Sequence, residues 1–311
     1  MCGSLWKTDQ LVKLSRTYDP DSEVVFYHGD VRSLLPDIPD ESVQLVVTSP
    51  PYNIGKEYEK DRTLREYRAF HRSVISRLVR LLRPQGSLCW QVGNYVDDGE
   101  ILPLDYLFHN MFSEFGLHLR NRIIWRFRHG LHCANRFSGR YETILWYTKT
   151  DDYVFNLDPV RVPQRYPGKK HYKGPKRGQK SGNPLGKNPS DVWDIPNVKS
   201  NHCEKTIHPC QFPVELVERL VLALTDEGDT VMDPYAGVGS VAVAALKRKR
   251  KSISAETVGK YVDVAIDRIM KMARGDLKTR PMNKPVHEPD TDPRYVQQFI
   301  GGILDDSEEE D

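Results

Sequence analysis

The narrowest choice of fold comes from a stretch near the C-terminal end. Thr230 to Met232 reads as a short apolar strand, Asp233-Pro234-Tyr235-Ala236-Gly237-Val238-Gly239-Ser240 as a glycine-rich turn, and a helix starts at about Val241. Ser252 to Ala255 forms the next strand and ends at Glu256, 17 residues beyond Gly239. A glycine-rich turn between strand and helix brings backbone N–H groups close to a ligand. An acid after the next strand stands where such sheets hold a carboxylate against a ribose hydroxyl pair. Strand, turn, helix, strand and acid make half of a nucleotide-binding sheet. That half lies at the C-terminal end, before a 36-residue remainder that follows the helix ending near Gly275.

The earlier chain supplies the missing strands. Val24 to His28 is β-branched and aromatic and ends at Gly29-Asp30; Val43 to Val47 is an apolar run ending at Thr48. Leu64, Tyr67, Phe70, Val74, Leu78, Leu81 and Leu82 recur at helical spacing until Arg83-Pro84 stops them. Gly86 to Val92 is a strand, Ile101 to Phe115 a helix, and Leu117 to Phe127 with Tyr141 to Tyr147 an antiparallel pair expected at a sheet edge. After Pro213, Leu216, Val217, Leu220, Val221 and Leu224 mark one face of a helix. The expected fold is α/β: a Rossmann-like, mostly parallel sheet of seven strands with helices on both faces. Five regions are expected: an N-terminal arm (1–22), two halves of one domain (23–150 and 205–275), an insert (151–204) and a tail (276–311) that is proline-rich, then acidic.

Open α/β sheets put their chemistry at strand ends. Asp30 is there either a turn residue or a ligand's acceptor. The loop Thr48-Ser49-Pro50-Pro51-Tyr52-Asn53-Ile54-Gly55 occupies the same kind of position. Two prolines remove two backbone donors, leaving the Pro50 carbonyl to accept from outside its own chain. Ser49 offers a second acceptor and Tyr52 a flat ring. Two acceptors and a stacking face suit an exocyclic amino group on a nucleobase, whose lone pair is otherwise delocalised into the ring. For the loop alone, a plain proline turn and an amino-group clamp are both open.

Charge is uneven along the chain. Arg161, Arg165, Lys169, Lys170, Lys173, Lys176, Arg177, Lys180 and Lys187 fall in one stretch without Asp or Glu, interleaved with Tyr166, Tyr172, glycines and prolines. Such a run is either a solvated surface or a nucleic-acid contact, and its glycines favour close approach to a duplex. Six of the last seven residues are acids, so the rest carries 45 basic groups against 37 acidic, a net +8. The five basic residues Lys247 to Lys251 suit the negative pole of the preceding helix. Trp125 is core or a second base platform. No apolar run reaches membrane length and no signal pattern opens the chain, so a cytoplasmic, nucleoid-associated protein is expected. Five cysteines, an odd number at irregular spacing, argue against a disulfide framework, and reduced thiols are expected.

The order of these pieces, acceptor loop first, basic insert next and cofactor turn last, resembles the circularly permuted β group of amino-methylating DNA methyltransferases, as found in bacterial restriction-modification systems. The resemblance covers about Val24 to Gly275. It implies that Asp233, Tyr235, Ala236, Gly237, Gly239 and Ser240 wrap the methionine part of S-adenosylmethionine, that Glu256 holds the ribose hydroxyls and that Asp30 contacts the adenine amino group. It also implies that His208-Pro209-Cys210-Gln211-Phe212-Pro213 closes over the cofactor, although the family usually has threonine and lysine at Cys210 and Phe212. Residues Arg161 to Lys205 take the place of the target-recognition region, and Asp191 to Pro196 resembles the stretch that returns the chain to the sheet. The implied partner is double-stranded DNA, with a cognate restriction endonuclease acting on the same sequence.

In that family Ser-Pro-Pro-Tyr is more typical of cytosine N4, and an aspartate in the first place of adenine N6. The expected substrate is therefore cytosine N4, with adenine N6, an RNA methyltransferase and a non-catalytic relative as alternatives. Pro209-Cys210 does not suit covalent catalysis, since the C5-cytosine family places its Pro-Cys after the cofactor turn. His129, His132, Cys133, His202, Cys203, His208 and Cys210 lack Cys-x-x-Cys spacing, and no metal is expected.

Overall fold

The computed structural model describes residues 12–52, 63–130 and 132–286. Asn53 to Gly55 of the acceptor loop, residues 1–11 of the N-terminal arm, the short helix expected around Tyr295 to Leu304 and the acidic terminus lie outside the described residues. The first half of the chain forms β1 (Leu14–Ser15), β2 (Val24–His28), α1 (Val31–Leu34), β3 (Val43–Thr48), α2 (Leu64–Leu81), β4 (Leu82–Val92), β5 (Asn94–Asp97), β6 (Glu100–Pro103) and α3 (Leu104–Ser113). There follow β7 (His118–Arg126), β8 (Tyr141–Thr148), β9 (Val192–Asp194), α4 (Val214–Leu224), β10 (Thr230–Asp233), α5 (Ser240–Lys247), β11 (Lys251–Glu256) and α6 (Gly259–Arg274).

The main sheet has the order β1-β2-β11-β10-β3-β4-β8-β7-β9. From β1 to β4 neighbours are parallel; β8 is antiparallel to both β4 and β7, and β9 runs parallel to β7. The seven expected strands are present, and two short ones extend them. The end of the N-terminal arm pairs Leu14 with Val24, and the Asp191 to Pro196 stretch returns beside β7, pairing Val192 with Ile124. Pieces of two and three residues are too short to show alternation, so β7 reads as an edge in the sequence but is not one.

Alternation along the strands feeds two cores. Val24, Phe26, Leu45 and Val47 join α4, α5 and α6 on one face. Val25, Val43 and Val46 join α1, α2 and α3 on the other. Thr63 and Glu66 form a reciprocal capping box that starts α2. Trp125 is core, 3 % exposed, with its indole N–H donated to the Ile195 carbonyl at 2.8 Å.

Three local expectations change. Residues 101–103 are strand rather than helix, because Asp98 and Gly99 both take positive φ (42° and 84°) and turn β5 back onto β6 as a two-residue hairpin. α4 is buried all round rather than on one face, and its Glu218 is held by Lys247 at 2.9 Å and Arg248 at 2.7 Å. The basic run thus does more than face a helix pole: Arg250 is itself buried and donates to the Thr225 carbonyl at 2.7 Å.

Beyond Gly275 the chain folds back over α4. The Arg280 N–H donates to Glu204 at 2.9 Å, the buried Arg280 guanidinium pairs with buried Glu215, and the Asn283 N–H reaches Glu215 at 2.9 Å. Among the described residues no helix is long and apolar enough to cross a membrane. Cys89, Cys133, Cys203 and Cys210 are free thiols.

Candidate active site

Five adjacent parallel strands, in the order β2, β11, β10, β3, β4, end on one edge of the sheet. Their registers align Glu256 with His28, Asp233 with Ser254, and Thr48 with Trp90. The edge therefore gathers Asp30, Glu256, Asp233, the Ser49 loop and Gln91 in that spatial order. A cavity of about 320 Å³ opens there, lined among others by Asp30, Ser49, Pro50, Pro51, Tyr52, His208, Tyr235, Ala236, Gly237, Ser240 and Glu256.

The Ser49 loop leaves a strand whose six residues are all buried. Its two prolyl carbonyls differ. The Tyr67 hydroxyl donates to the Pro51 carbonyl at 2.9 Å, whereas no described residue donates to that of Pro50. The Ser49 hydroxyl lies 3.2 Å from the Tyr52 hydroxyl, which also accepts from the Gln91 side chain at 2.9 Å. Gln91 donates in turn to Glu142 at 2.5 Å. The Tyr52 ring packs where Gly93 has no side chain: a Cβ there would stand 3.3 Å from the ring and 3.3 Å from the Glu142 carboxyl. Burial pushes the Glu142 carboxyl up to about 7, against the pull of the Gln91 hydrogen bond and of Lys199. Burial likewise holds the Tyr52 phenol well above its ordinary range. Gln91 and Glu142 carry no local sequence signal. They meet the loop through the β3–β4–β8 registers alone.

The other wall is the glycine turn. Gly237 and Gly239 take φ of 50° and 75°; a Cβ on Gly237 would sit 3.2 Å from the His208 ring, and one on Gly239 3.0 Å from Ala265. His208 packs edge-on against Tyr261, with centroids 4.6 Å apart, and so covers the turn. Glu256 accepts the Gly237 and Val258 N–H groups, each at 2.8 Å, and burial raises its carboxyl above the usual range. Asp30 caps α1 and accepts the Arg32 guanidinium at 2.6 Å. Tyr235 reaches His71, 3.2 Å away at the bottom of a buried aromatic group with Tyr67, Phe70, Trp90 and Phe108.

Asp233 lies behind the wall. One oxygen accepts the Thr48 hydroxyl at 2.6 Å and the Tyr235 N–H at 3.0 Å, while the other is buried without a hydrogen bond. Burial pushes this carboxyl up to about 7. The site so presents two acids, Asp30 and Glu256, beside aromatic faces and a glycine cradle. It suits a planar ligand rich in N–H and O–H donors, with room beside it at the Ser49 loop.

Other expected residues stand apart. Gly239 caps α5, Pro209 is exposed and Asp233 is buried; none of the three lines the cavity. In the insert, Arg165, Lys169, Lys170, Lys173, Lys176, Arg177, Lys180 and Lys187 are exposed on a loop closed by the pairs Val162–Lys187 and Lys170–Lys180. Arg161 instead holds the base of that loop, donating to Asp158 at 2.6 Å and to the Gly186 carbonyl at 3.1 Å. His202, Cys203 and Glu204 bring potential ligand atoms within 4.8 Å, but the Glu204 oxygens already accept from Val214 and Arg280.

Residues 43–267 match a family model for N6 and N4 methyltransferases described as DNA methylase. The chain belongs to this family. The methylase is 52 % identical over 240 residues to the type II methyltransferase M.BglII of Bacillus subtilis, across 77 % of this chain and 67 % of that protein. Among solved structures it resembles TTHA0409 of Thermus thermophilus, a putative DNA modification methylase complexed with S-adenosylmethionine, at TM-score 0.56 and 29 % identity over 80 % of this chain and 96 % of that one. Its fold also matches the PvuII cytosine-N4-specific DNA methyltransferase at TM-score 0.64 and 23 % identity, over 84 % and 95 % of the two chains. Both neighbours carry the mostly parallel sheet seen here.

Proposed function

We propose that this methylase transfers a methyl group from S-adenosylmethionine to the exocyclic N4 of a cytosine turned out of duplex DNA, as the protective enzyme of a restriction-modification system with a cognate endonuclease. The observation that carries it is the Pro50 carbonyl, to which no described residue donates, beside the Ser49 hydroxyl in a cavity whose other wall is a glycine cradle with Asp30 and Glu256. Serine in the first place of the loop, where the family's adenine enzymes more often have aspartate, favours cytosine.

The cavity suits this cofactor. When bound, S-adenosylmethionine supplies an electrophilic methyl group on a sulfonium centre. Glu256 would accept from the ribose hydroxyls, Asp30 from the adenine amino group, and the backbone of Asp233 to Ser240 would surround the methionine part. Asp233 stays buried behind that cradle and supports it through the Thr48 hydroxyl and the Tyr235 N–H.

On the substrate side, a paired cytosine hides its amino group, and unpairing it costs a few kcal/mol. Tyr52 stacks on the extruded base. Gln91 holds the tyrosine hydroxyl, so the ring cannot swing away. Ser49 and the Pro50 carbonyl accept the two amino hydrogens, which lets the nitrogen pyramidalise and direct its lone pair at the methyl carbon. The nitrogen is strongly acidic only once methylated, so its proton leaves to water and Ser49 need not act as a base. Positioning and electrostatics account for most of the acceleration.

Digesting DNA methylated by the purified enzyme to nucleosides and weighing the product tests the reading. N4-methylcytosine is expected; N6-methyladenine would move the same clamp to adenine. Methylation of RNA but not duplex DNA would remove the proposal altogether.

A further inference from the structure

The loop between β7 and β8 has no part in the chemistry above, yet its position is fixed by strand register. Arg126 pairs with Tyr141, and Val92 with Thr143, so the loop leaves and re-enters the sheet at the edge that carries Ser49 and Tyr52. Its second stem is followed at once by Glu142, two hydrogen bonds from the Tyr52 hydroxyl. Residues 127–141 contain three arginines and two histidines, with no Asp or Glu. Arg128, His129, His132 and Arg136 are exposed. Phe137 is 102 % exposed, more than any other large apolar side chain among the described residues. Four peptide steps lead from Phe137 to Tyr141, so its Cα stands within roughly 14 Å of the Cα of Tyr141. The loop is shaped rather than trailing: the Phe127 N–H donates to the Arg140 carbonyl at 2.9 Å, and the Cys133 N–H to the Ser138 hydroxyl at 3.1 Å.

A fully exposed phenylalanine on a loop that carries arginines and histidines has no role in packing. Beside a pocket that must receive an extruded base, it has one. We infer that this loop carries a second DNA-contacting element, in which Arg128 and Arg136 grip phosphates next to the target nucleotide and Phe137 enters the stack to fill the gap left by the extruded base. Side chains that wedge between base steps act in this way, and stacking on them is sequence-tolerant. The long basic insert supplies recognition contacts elsewhere, so extrusion and recognition fall to two different loops. This rests on the proposed action on duplex DNA.

The test uses the full chain and a duplex carrying its mapped methylation site, either fully paired or with the target base mispaired. Phe137→Ala is expected to slow single-turnover methylation of the paired duplex on the order of ten-fold and to leave the mispaired duplex within about two-fold of wild type, because a base already unpaired needs no wedge. Phe137→Trp should restore the paired rate. Arg136→Ala should lower the slope of log affinity against log salt by about one. Equal rates for Phe137→Ala and wild type on the paired duplex, or equal losses on both substrates, would overturn the inference while the proposed function stands. A wild-type protein that methylates no duplex DNA overturns both.

Discussion

Asp233 couples the two walls of the site through a single carboxyl. Thr48 and Tyr235 donate to one of its oxygens, and the other is buried without a partner, so ionisation there is costly. Its pKa in the folded chain, about 7, lies above the ordinary carboxylate value of 3.8. The native state therefore holds this proton through a window in which the unfolded chain has lost it. Stability should fall as pH rises from about 4 to 7, by at most about 4 kcal/mol from this group. Unfolding titrations across that range should show a flatter profile for Asp233→Asn; a profile as steep as wild type would contradict the assignment. On the other wall, Ser49→Ala should reduce kcat on the order of 10²-fold while leaving cofactor affinity nearly unchanged. Methyl incorporation and calorimetric titration with S-adenosylmethionine separate the two effects, and a normal kcat would remove Ser49 from the clamp. Ser49, Pro50 and Tyr52 were legible as candidates because a strand end, two prolines and an aromatic ring are local words. Gln91, Glu142 and His71 were not, since each is an ordinary strand or helix residue until the registers bring it to the loop.

Elements show the same division. The glycine turn, both flanking strands and α2 follow from periodicity, capping and breakers read within a dozen residues. The β5–β6 hairpin was also legible, through Asp98-Gly99, but the apolar residues that follow match a helix pattern equally well. The packing of the segment after Gly275 was not. Its proline-rich composition resembles a free tail, yet one buried ion pair, Arg280 with Glu215, fixes it to α4. Removing Arg280 leaves a buried carboxylate beside a hydrophobic helix face, so Arg280→Ala should cost about 3 to 5 kcal/mol in denaturant unfolding. A loss below about 1 kcal/mol would mean that water replaces the guanidinium. Gly93, at the end of β4, is an element-scale constraint of another kind. A valine there must displace Tyr52 or Glu142, so Gly93→Val should raise the KM for DNA far more than that for cofactor; equal effects would point to general misfolding.

At the scale of the molecule, the parallel order of the sheet and its two helical faces were readable, because acids and loops fell at strand ends in an order that one permuted topology explains. The extension of the sheet by two and three residues was not, since pairing that short is decided by the neighbour and not by the strand. The exposed cations of the insert give a whole-molecule prediction. Replacing Lys173, Lys176 and Arg177 together by alanine should weaken binding to any duplex and reduce the log–log salt slope by about three, read by titration at several ionic strengths. An unchanged slope would show that the insert is merely solvated.

The Thr48–Asp233 hydrogen bond spans 185 residues and joins two neighbouring strands at the middle of the sheet. At about 5 to 20 residues per second, a ribosome completes the acceptor loop roughly 10 to 40 s before the strand that closes the edge beside it. During that interval β3 lacks its β10 neighbour, and the acceptor loop lacks the glycine turn that faces it across the cavity. By the same logic a backbone cut in the exposed insert yields two inactive pieces, each holding part of a sheet that only the other can complete, and co-expressing them should restore methylation that neither performs alone.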